Sequence, residues 1–218
     1  FADGAFDAAA MVRVIHHLAD PSLALAEIRR ILAGGGHFVL EYANKRHLKA
    51  ILRYLLQRQA VNPFSREPWE FVPLNFDFHP RDIAARLAGA GFRVTAERCV
   101  SLFRLAALKR LVPTRVLAAW DRLLQVPTAP LKLGPSVFLQ ARALGTPTSL
   151  AAELFRCPRC HASALDRREE ALVCRGCGTR WPHREGIYDF KEVDGAPPTG
   201  AVSQRQEDEG EMLDEYRL

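Results

Sequence analysis

The segment from Ala8 to Tyr42 leaves this chain little choice of fold. Ala8–Ile15 is a short, continuous apolar run with the turn residues Asp3 and Gly4 before it, the pattern of a buried strand. Asp20-Pro21 then opens a helix, with the aspartate as N-cap and the proline at the first helical position. Leu25, Ile28 and Leu32 fall on one helical face, and Gly34-Gly35-Gly36 is expected to stop the helix. His37–Tyr42 (HFVLEY) reads as the next strand. Strand, helix and strand in this order make a βαβ unit, so the sheet is expected to be parallel with a right-handed crossover. The glycine run is not read as a phosphate cradle, because such loops follow a strand and open a helix.

The rest of the first 143 residues continues the α/β pattern. Arg46–Gln59 is expected to form a long amphipathic helix with Leu48, Ile51 or Leu52, and Leu55 turned inward. Residues 60–79 hold three prolines and many aromatics, and read as a long irregular loop of the functional or mobile kind. Pro80–Ala90 reads as a helix closed by Gly91, and Phe92–Val100 alternates like a strand. Two short helices are expected near 104–112 and 115–125, split at Pro113-Thr114, before a last strand over Ser136–Arg142. Residues 144–152 read as a linker and 153–192 as a small second domain. Residues 193–218 read as an acidic, disordered tail.

That second domain carries the sharpest local signal. Cys157, Cys160, Cys174 and Cys177 form a C-x2-C-x13-C-x2-C pattern. Each C-x-x-C offers two thiolates on a tight knuckle, and two knuckles complete a tetrahedral zinc site. Four cysteines leave no open coordination position, so the site is structural. A module of about 40 residues has too small a core to fold unaided, and metal supplies the missing free energy. A redox C-x-x-C would need a thioredoxin-like setting that is absent. His161 lies just past the first knuckle and is not counted as a ligand; Cys99 lies in the Phe92–Val100 strand and reads as a buried thiol. Metal-type rather than disulfide-type cysteine spacing points to a reducing, cytoplasmic setting.

Charge is uneven. Residues 1–148 carry 20 basic against 11 acidic residues, and residues 192–218 carry 2 against 8. A basic body favours an anionic partner such as nucleic acid or an acidic membrane surface. The basic residues are scattered without a dense run, so an arginine-rich composition accounts for the excess better than a binding patch. No apolar run approaches the roughly 20 residues that span a bilayer, and no secretory signal is visible.

Several motifs in order carry a resemblance. Asp3, Phe6 and Asp7, then Ala8–Val14, then His16-His17-Leu18, then Pro21–Ala33 with Gly34-Gly35-Gly36, then His37–Tyr42, together resemble the second half of a class I S-adenosylmethionine-dependent methyltransferase, of the broad type that includes quinone-biosynthesis enzymes. FHPRDIAARLAGAGFRV (78–94) resembles that family's next helix and sixth strand, and GPSVFLQARA (134–143) its closing seventh strand. The resemblance covers residues 1–143. It implies a partial Rossmann-like sheet with strands four to seven present and the first three upstream of Phe1. The Gly-rich cofactor loop and the acidic residue that binds the ribose would also lie upstream. These 218 residues alone are then expected to be inactive, the activity belonging to a longer parent.

The resemblance further implies that Met11, Val12, Arg13, Val14 and His17 line the methionine end of S-adenosylmethionine. His17 can equally cap the following turn, and His16 is expected to pack or face solvent. Methyl transfer is an in-line displacement from a strong leaving group, so alignment and exclusion of water matter most. A general base is optional; His16, His17, Glu41 and Tyr42 are candidates, and none is forced. Phe64, Trp69, Phe71 and Phe76 are candidate acceptor-pocket walls.

The segment CRGCGTRWPHREGI (174–187) resembles a zinc-ribbon family that includes the activator subunit of several RNA and translation-factor methyltransferases, with Cys177-Gly178, Trp181-Pro182 and Gly186-Ile187 in its pattern. The resemblance implies a ribbon that stabilises or positions a methyltransferase by adding a β-hairpin or strand to it, here by packing on the methyltransferase domain. The leading expectation is a methyltransferase with a structural zinc ribbon, acting on a small-molecule, RNA or protein acceptor. The alternative is a non-catalytic zinc-ribbon adaptor for a protein or RNA partner.

Overall fold

The computed structural model describes residues 1–103, 106–146, 148, 150–151 and 153–191. The expected tail over 193–218 lies outside the described residues. The chain divides into two compact units, the first ending at Leu154 and the second starting at Phe155. In the stretch where a linker is expected, Thr148 Oγ1 accepts the Gly34 N–H and the Ala151 N–H donates to the Gly4 carbonyl.

The first unit runs β1 (Phe6–Met11), a 3-10 turn (Ile15–His17), α1 (Pro21–Ile31), β2 (Leu32–Ala43), α2 (Leu48–Leu55), β3 (Trp69–Val72), β4 (Asn75–Asp77), α3 (Pro80–Gly89), β5 (Phe92–Val100), α4 (Ala106–Leu111), α5 (Thr114–Leu124) and β6 (Ser136–Ala143). Its main sheet has the order β1-β2-β6-β5. β1 and β2 are parallel, as the βαβ pattern requires, while β6 runs antiparallel to both of its neighbours. The sheet is thus mixed rather than wholly parallel. Ala43, Ser136 and Val100 form one row across it, so β2 and β5 end and β6 begins at the same edge.

Asp20 caps α1 as its sequence position indicates: Oδ1 accepts the N–H groups of Ser22 and Leu23, and Pro21 fills the first turn. The glycine run does not stop the helix. α1 ends at Ile31, and Gly34–Gly36 belong to β2, where the register with β1 jumps from Phe6–Leu32 to Ala8–His37. Gly35 takes φ +78° in this bulge, a conformation that favours glycine.

Three further expectations are corrected. β1 stops at Met11, and Ala8, Ala10, Val12 and Val14 are exposed, because β1 pairs only with β2 among the described residues and forms an edge. Residues 60–79 are not wholly irregular: β3 and β4 pair as a hairpin through Trp69–Asp77 and Glu70–Phe76. α2 is shorter than expected and is turned around. Its buried residue is Ala50, while Leu48, Leu52 and Leu55 are 47%, 50% and 66% exposed and Leu56, just after it, is 62% exposed.

The core lies between the sheet and α1 and α3. Leu25, Phe38, Leu40, Ile83, Leu87, Phe92 and Val137 are buried there, with Ile15 from the turn. Burying an aliphatic or aromatic side chain of this size stabilises by roughly 1.5–3 kcal/mol. Asn44, also buried, joins the segment after β2 to the β6 approach by donating from Nδ2 to the carbonyls of Lys132 (2.7 Å) and Gly134 (2.8 Å). Cys99 is buried as expected, its sulfur accepting the Gly134 N–H.

The second unit holds β7 (Leu165–Arg167), β8 (Ala171–Cys174), β9 (Arg180–Arg184) and β10 (Ile187–Tyr188) in an antiparallel sheet ordered β10-β9-β8-β7. Its small core is Cys157, Leu172, Cys174 and Trp181, with Phe155, Tyr188 and Phe190 against it.

Candidate functional site

A cleft of about 480 Å3 opens at the edge where β1, β2 and β5 end. One wall is the turn after β1, with Val12, Arg13, His16 and His17; the floor is Glu41 and Ser136; the facing wall is the β3–β4 hairpin, with Phe71, Asn75, Phe76 and Asp77. Open α/β sheets bind ligands beyond the carboxyl ends of their strands because loops there leave a crevice and backbone groups point into it.

The turn is held by an unusual backbone. Arg13 has φ +58°, which L-residues rarely adopt, and its N–H donates to Glu41 Oε2 at 2.9 Å. The other oxygen, Oε1, accepts the Ser136 hydroxyl. One buried carboxylate therefore joins β2, the turn after β1 and the start of β6.

The two histidine rings meet at 4.2 Å between centroids, tilted by 53°. His17 Nδ1 lies 3.2 Å from the Leu74 carbonyl, tying the turn to the hairpin. His16 Nδ1 is buried without a hydrogen-bond partner. Burial, then the neighbouring His17 and Arg13, lower the His16 pKa against the opposing pull of Glu41. The His16 ring lines the cleft while its unpartnered Nδ1 is buried beneath it. Burial raises the Asp77 pKa, with Lys45 opposing.

Of the five residues expected at a cofactor, Val12, Arg13 and His17 line the cleft. Met11 is packed in the core and Val14 is exposed elsewhere. Among the base candidates, His16, His17 and Glu41 share the cleft. Tyr42 does not: strand alternation turns it into the core, where burial pushes its hydroxyl pKa far above the usual range. Phe71 and Phe76 are walls, whereas Phe64 and Trp69 are exposed away from the cleft. Ser136, Asn75 and Asp77 were not foreseen; only the fold brings strand-end and hairpin residues to Glu41.

In the second unit, the four sulfurs of Cys157, Cys160, Cys174 and Cys177 lie within 4.8 Å of one another. The Cys157–Cys177 and Cys160–Cys174 separations are 3.6 and 3.4 Å. Thiolates about 2.3 Å from a tetrahedral zinc ion lie about 3.8 Å apart, so this donor set fits that ion. The Thr179 hydroxyl and then its backbone N–H donate to the Cys177 sulfur and bring its pKa down to about 6. Burial raises Cys157, but donation from the Cys160 and Arg159 N–H groups outweighs it. Cys160 receives the Ala162 N–H, yet sharing with Cys174 and the other thiols raises it to about 12. Without a cation the four sulfurs compete for protons, and a divalent ion removes that competition.

Residues 1–40 match the model of a family described as "Methyltransferase domain". No curated protein matches the chain. Among solved structures, the chain is similar to an S-adenosylmethionine-dependent methyltransferase from Thermotoga maritima described as a possible histamine N-methyltransferase, at 20% identity and TM-score 0.39, over 65% of this chain and 58% of that one. It is similar to a Methanosarcina mazei S-adenosylmethionine-dependent methyltransferase at 20% identity and TM-score 0.39, over 67% and 63%. A third similarity is to a complex between the Haloferax volcanii Trm112 methyltransferase activator and a protein described as a methyltransferase, at 14% identity and TM-score 0.40, over 68% and 58%. The chain spans less than two thirds of each.

Proposed function

We propose that residues 1–143 are the strand-four-to-seven half of a class I S-adenosylmethionine-dependent methyltransferase, and that the cleft at Arg13, His16, His17 and Glu41 is its reaction site. The observation that carries this reading is a coincidence of two independent features: residues 1–40 match the methyltransferase family model, and the same stretch builds one wall of the cleft. The unpaired edge of β1, with exposed Ala8 and Ala10, is where the first three strands of such a sheet would pair.

When bound, S-adenosylmethionine supplies an electrophilic methyl group on a sulfonium. The chain's own residues do the rest. Val12, Arg13 and His17 hold the methionine end, on a turn fixed by the Arg13–Glu41 and His17–Leu74 contacts. Phe71 and Phe76 exclude water on the hairpin side. His16, whose ring lines the cleft and whose pKa burial lowers, takes the proton that an acceptor hydroxyl or amine releases as it is methylated. A volume of about 480 Å3 suits a small ligand or one end of a larger one.

Cys157, Cys160, Cys174 and Cys177 hold a structural zinc ion, which makes the second unit a zinc ribbon. The fit of their spacing to tetrahedral thiolates supports this.

Ultraviolet cross-linking with tritiated S-adenosylmethionine tests the cleft. The label is expected on the peptide spanning Val12–His17. Label elsewhere, or none on the complete protein, favours the non-catalytic adaptor.

A further inference from the structure

The outward turn of α2 leaves an apolar and basic surface that neither the cleft nor the metal site uses. Leu48, Leu52, Leu55 and Leu56 are exposed along it, interleaved with exposed Lys49, Arg53 and Arg58. A groove of about 530 Å3 runs from Leu52 and Leu56 to Leu102, Leu133 and Pro135. α5 adjoins the far side of that groove. Its Asp121 carboxylate accepts the N–H groups of Ser101 and Leu102, the Gln125 carbonyl accepts the Cys99 N–H, and the Phe103 and Trp120 rings meet at 6.1 Å. α5 and its flanks repeat the pattern of α2: Leu111, Trp120, Leu123 and Val126 are exposed together with Arg110, Arg115 and Arg122.

The charge is segregated to these two segments. Residues 43–66 and 102–135 hold twelve basic residues and one acidic residue, Asp121, whose carboxylate is engaged by backbone. The remainder of residues 1–148 holds eight basic against ten acidic. The excess is therefore no uniform consequence of arginine usage, as the scattered sequence suggested. Within these segments Lys45 is buried and Lys132 pairs with Glu97, so the exposed cations are those beside the leucines of α2 and α5.

We propose that this face, α2 continued by α5, docks on an anionic lipid surface. Exposed leucines and a tryptophan gain free energy by entering the headgroup–acyl boundary, while neighbouring lysines and arginines pair with acidic headgroups. A nucleic acid would satisfy the cations but leave the leucines in water. An apolar protein groove would bury the leucines but gives no reason for a near absence of acid. No helix among the described residues is long and apolar enough to cross a membrane, so the contact is peripheral. The proposal holds whether or not the cleft transfers methyl groups.

Vesicle flotation of the full chain tests it. Vesicles of equal parts phosphatidylcholine and phosphatidylglycerol are expected to bind roughly tenfold or more tightly than phosphatidylcholine alone, with the difference lost in high salt. The double variant Leu52→Ser/Leu56→Ser is expected to lose binding, and Lys49→Gln/Arg53→Gln to weaken it at least tenfold, by the order expected from about fivefold per cation. Arg93→Gln, at the opposite end of β5, is expected to bind as the parent does. Equal binding to both vesicle types overturns the proposal. So does binding that the leucine variant retains, or that an RNA oligonucleotide displaces with no dependence on the leucines.

Discussion

The Glu41 carboxylate accepts the Arg13 backbone N–H at 2.9 Å, so a side chain buried at the end of β2 fixes the turn that leaves β1. Glu41→Ala would strand that N–H and the Ser136 hydroxyl, which Oε1 now receives. Leaving a part-buried donor unpaired costs about 1–3 kcal/mol. The expected outcome is a lower urea midpoint by that order, with Glu41→Gln in between because its amide oxygen replaces only one acceptor. An Ala variant as stable as the parent would mean the carboxylate does not hold the turn.

Acid weakens the first unit through its histidines. His47 and His79 cap α2 and α3, each accepting a backbone N–H at Nδ1, at 3.3 Å from Ala50 and 3.1 Å from Arg81. Burial first, then nearby lysines and arginines, lowers both pKa values, and burial lowers His16 as well. A pKa lowered by folding means the unfolded chain binds the proton more readily. The stability these groups contribute is complete above about pH 6.5, the unfolded histidine value, and is lost as pH falls through the folded values. Calorimetric Tm should fall between pH 7.5 and pH 5. His79→Asn keeps a good cap and should make the fall shallower; an unchanged slope would remove His79 from the account.

Two glycines should respond oppositely to alanine. A Cβ at Gly36 would meet the Ala33 carbonyl oxygen at 2.9 Å and that of Asp7 at 3.0 Å, both backbone, so the β1–β2 bulge would have to shift. At Gly89, in α3, nothing lies within 4 Å. Gly36→Ala should destabilise by more than about 1 kcal/mol, and Gly89→Ala should stabilise by up to about 1 kcal/mol. Denaturant titration of both variants gives the signs directly.

The proposed ribbon should depend on a bound metal ion. One zinc per chain is expected by atomic absorption. Chelation, or Cys160→Ser, should unfold β7–β10, read as a change in Trp181 fluorescence, because the small core around Trp181 includes two of the ligand cysteines. Retention of that signal after complete metal removal would contradict a structural role.

How much of this was legible in the sequence varies with the physics that set it. The cap at Asp20-Pro21, the strands at His37–Tyr42 and Phe92–Val100, and the four-cysteine cluster follow from local chemistry and appear where expected. The orientation of α2 does not. Leucines at helical spacing read as an inward face, and nothing local says that Ala50 takes that place. The β3–β4 hairpin was hidden by Pro63, Pro68 and Pro73, which punctuate the segment as a loop. Glu41 and Tyr42 were equal candidates until strand alternation sent one to the cleft and the other to the core. The sequence offers His16 and His17 alike as bases, because an unpartnered buried nitrogen is a property of packing alone.

Calorimetric titration of S-adenosylmethionine into a chain carrying the upstream strands of the proposed sheet, beside the same titration into these 218 residues, tests the central claim most directly. The account predicts saturable binding by the longer chain and its loss, or at least a tenfold weakening, in the shorter one. Absence of binding by both would contradict a methyl-transfer site at Arg13, His16, His17 and Glu41.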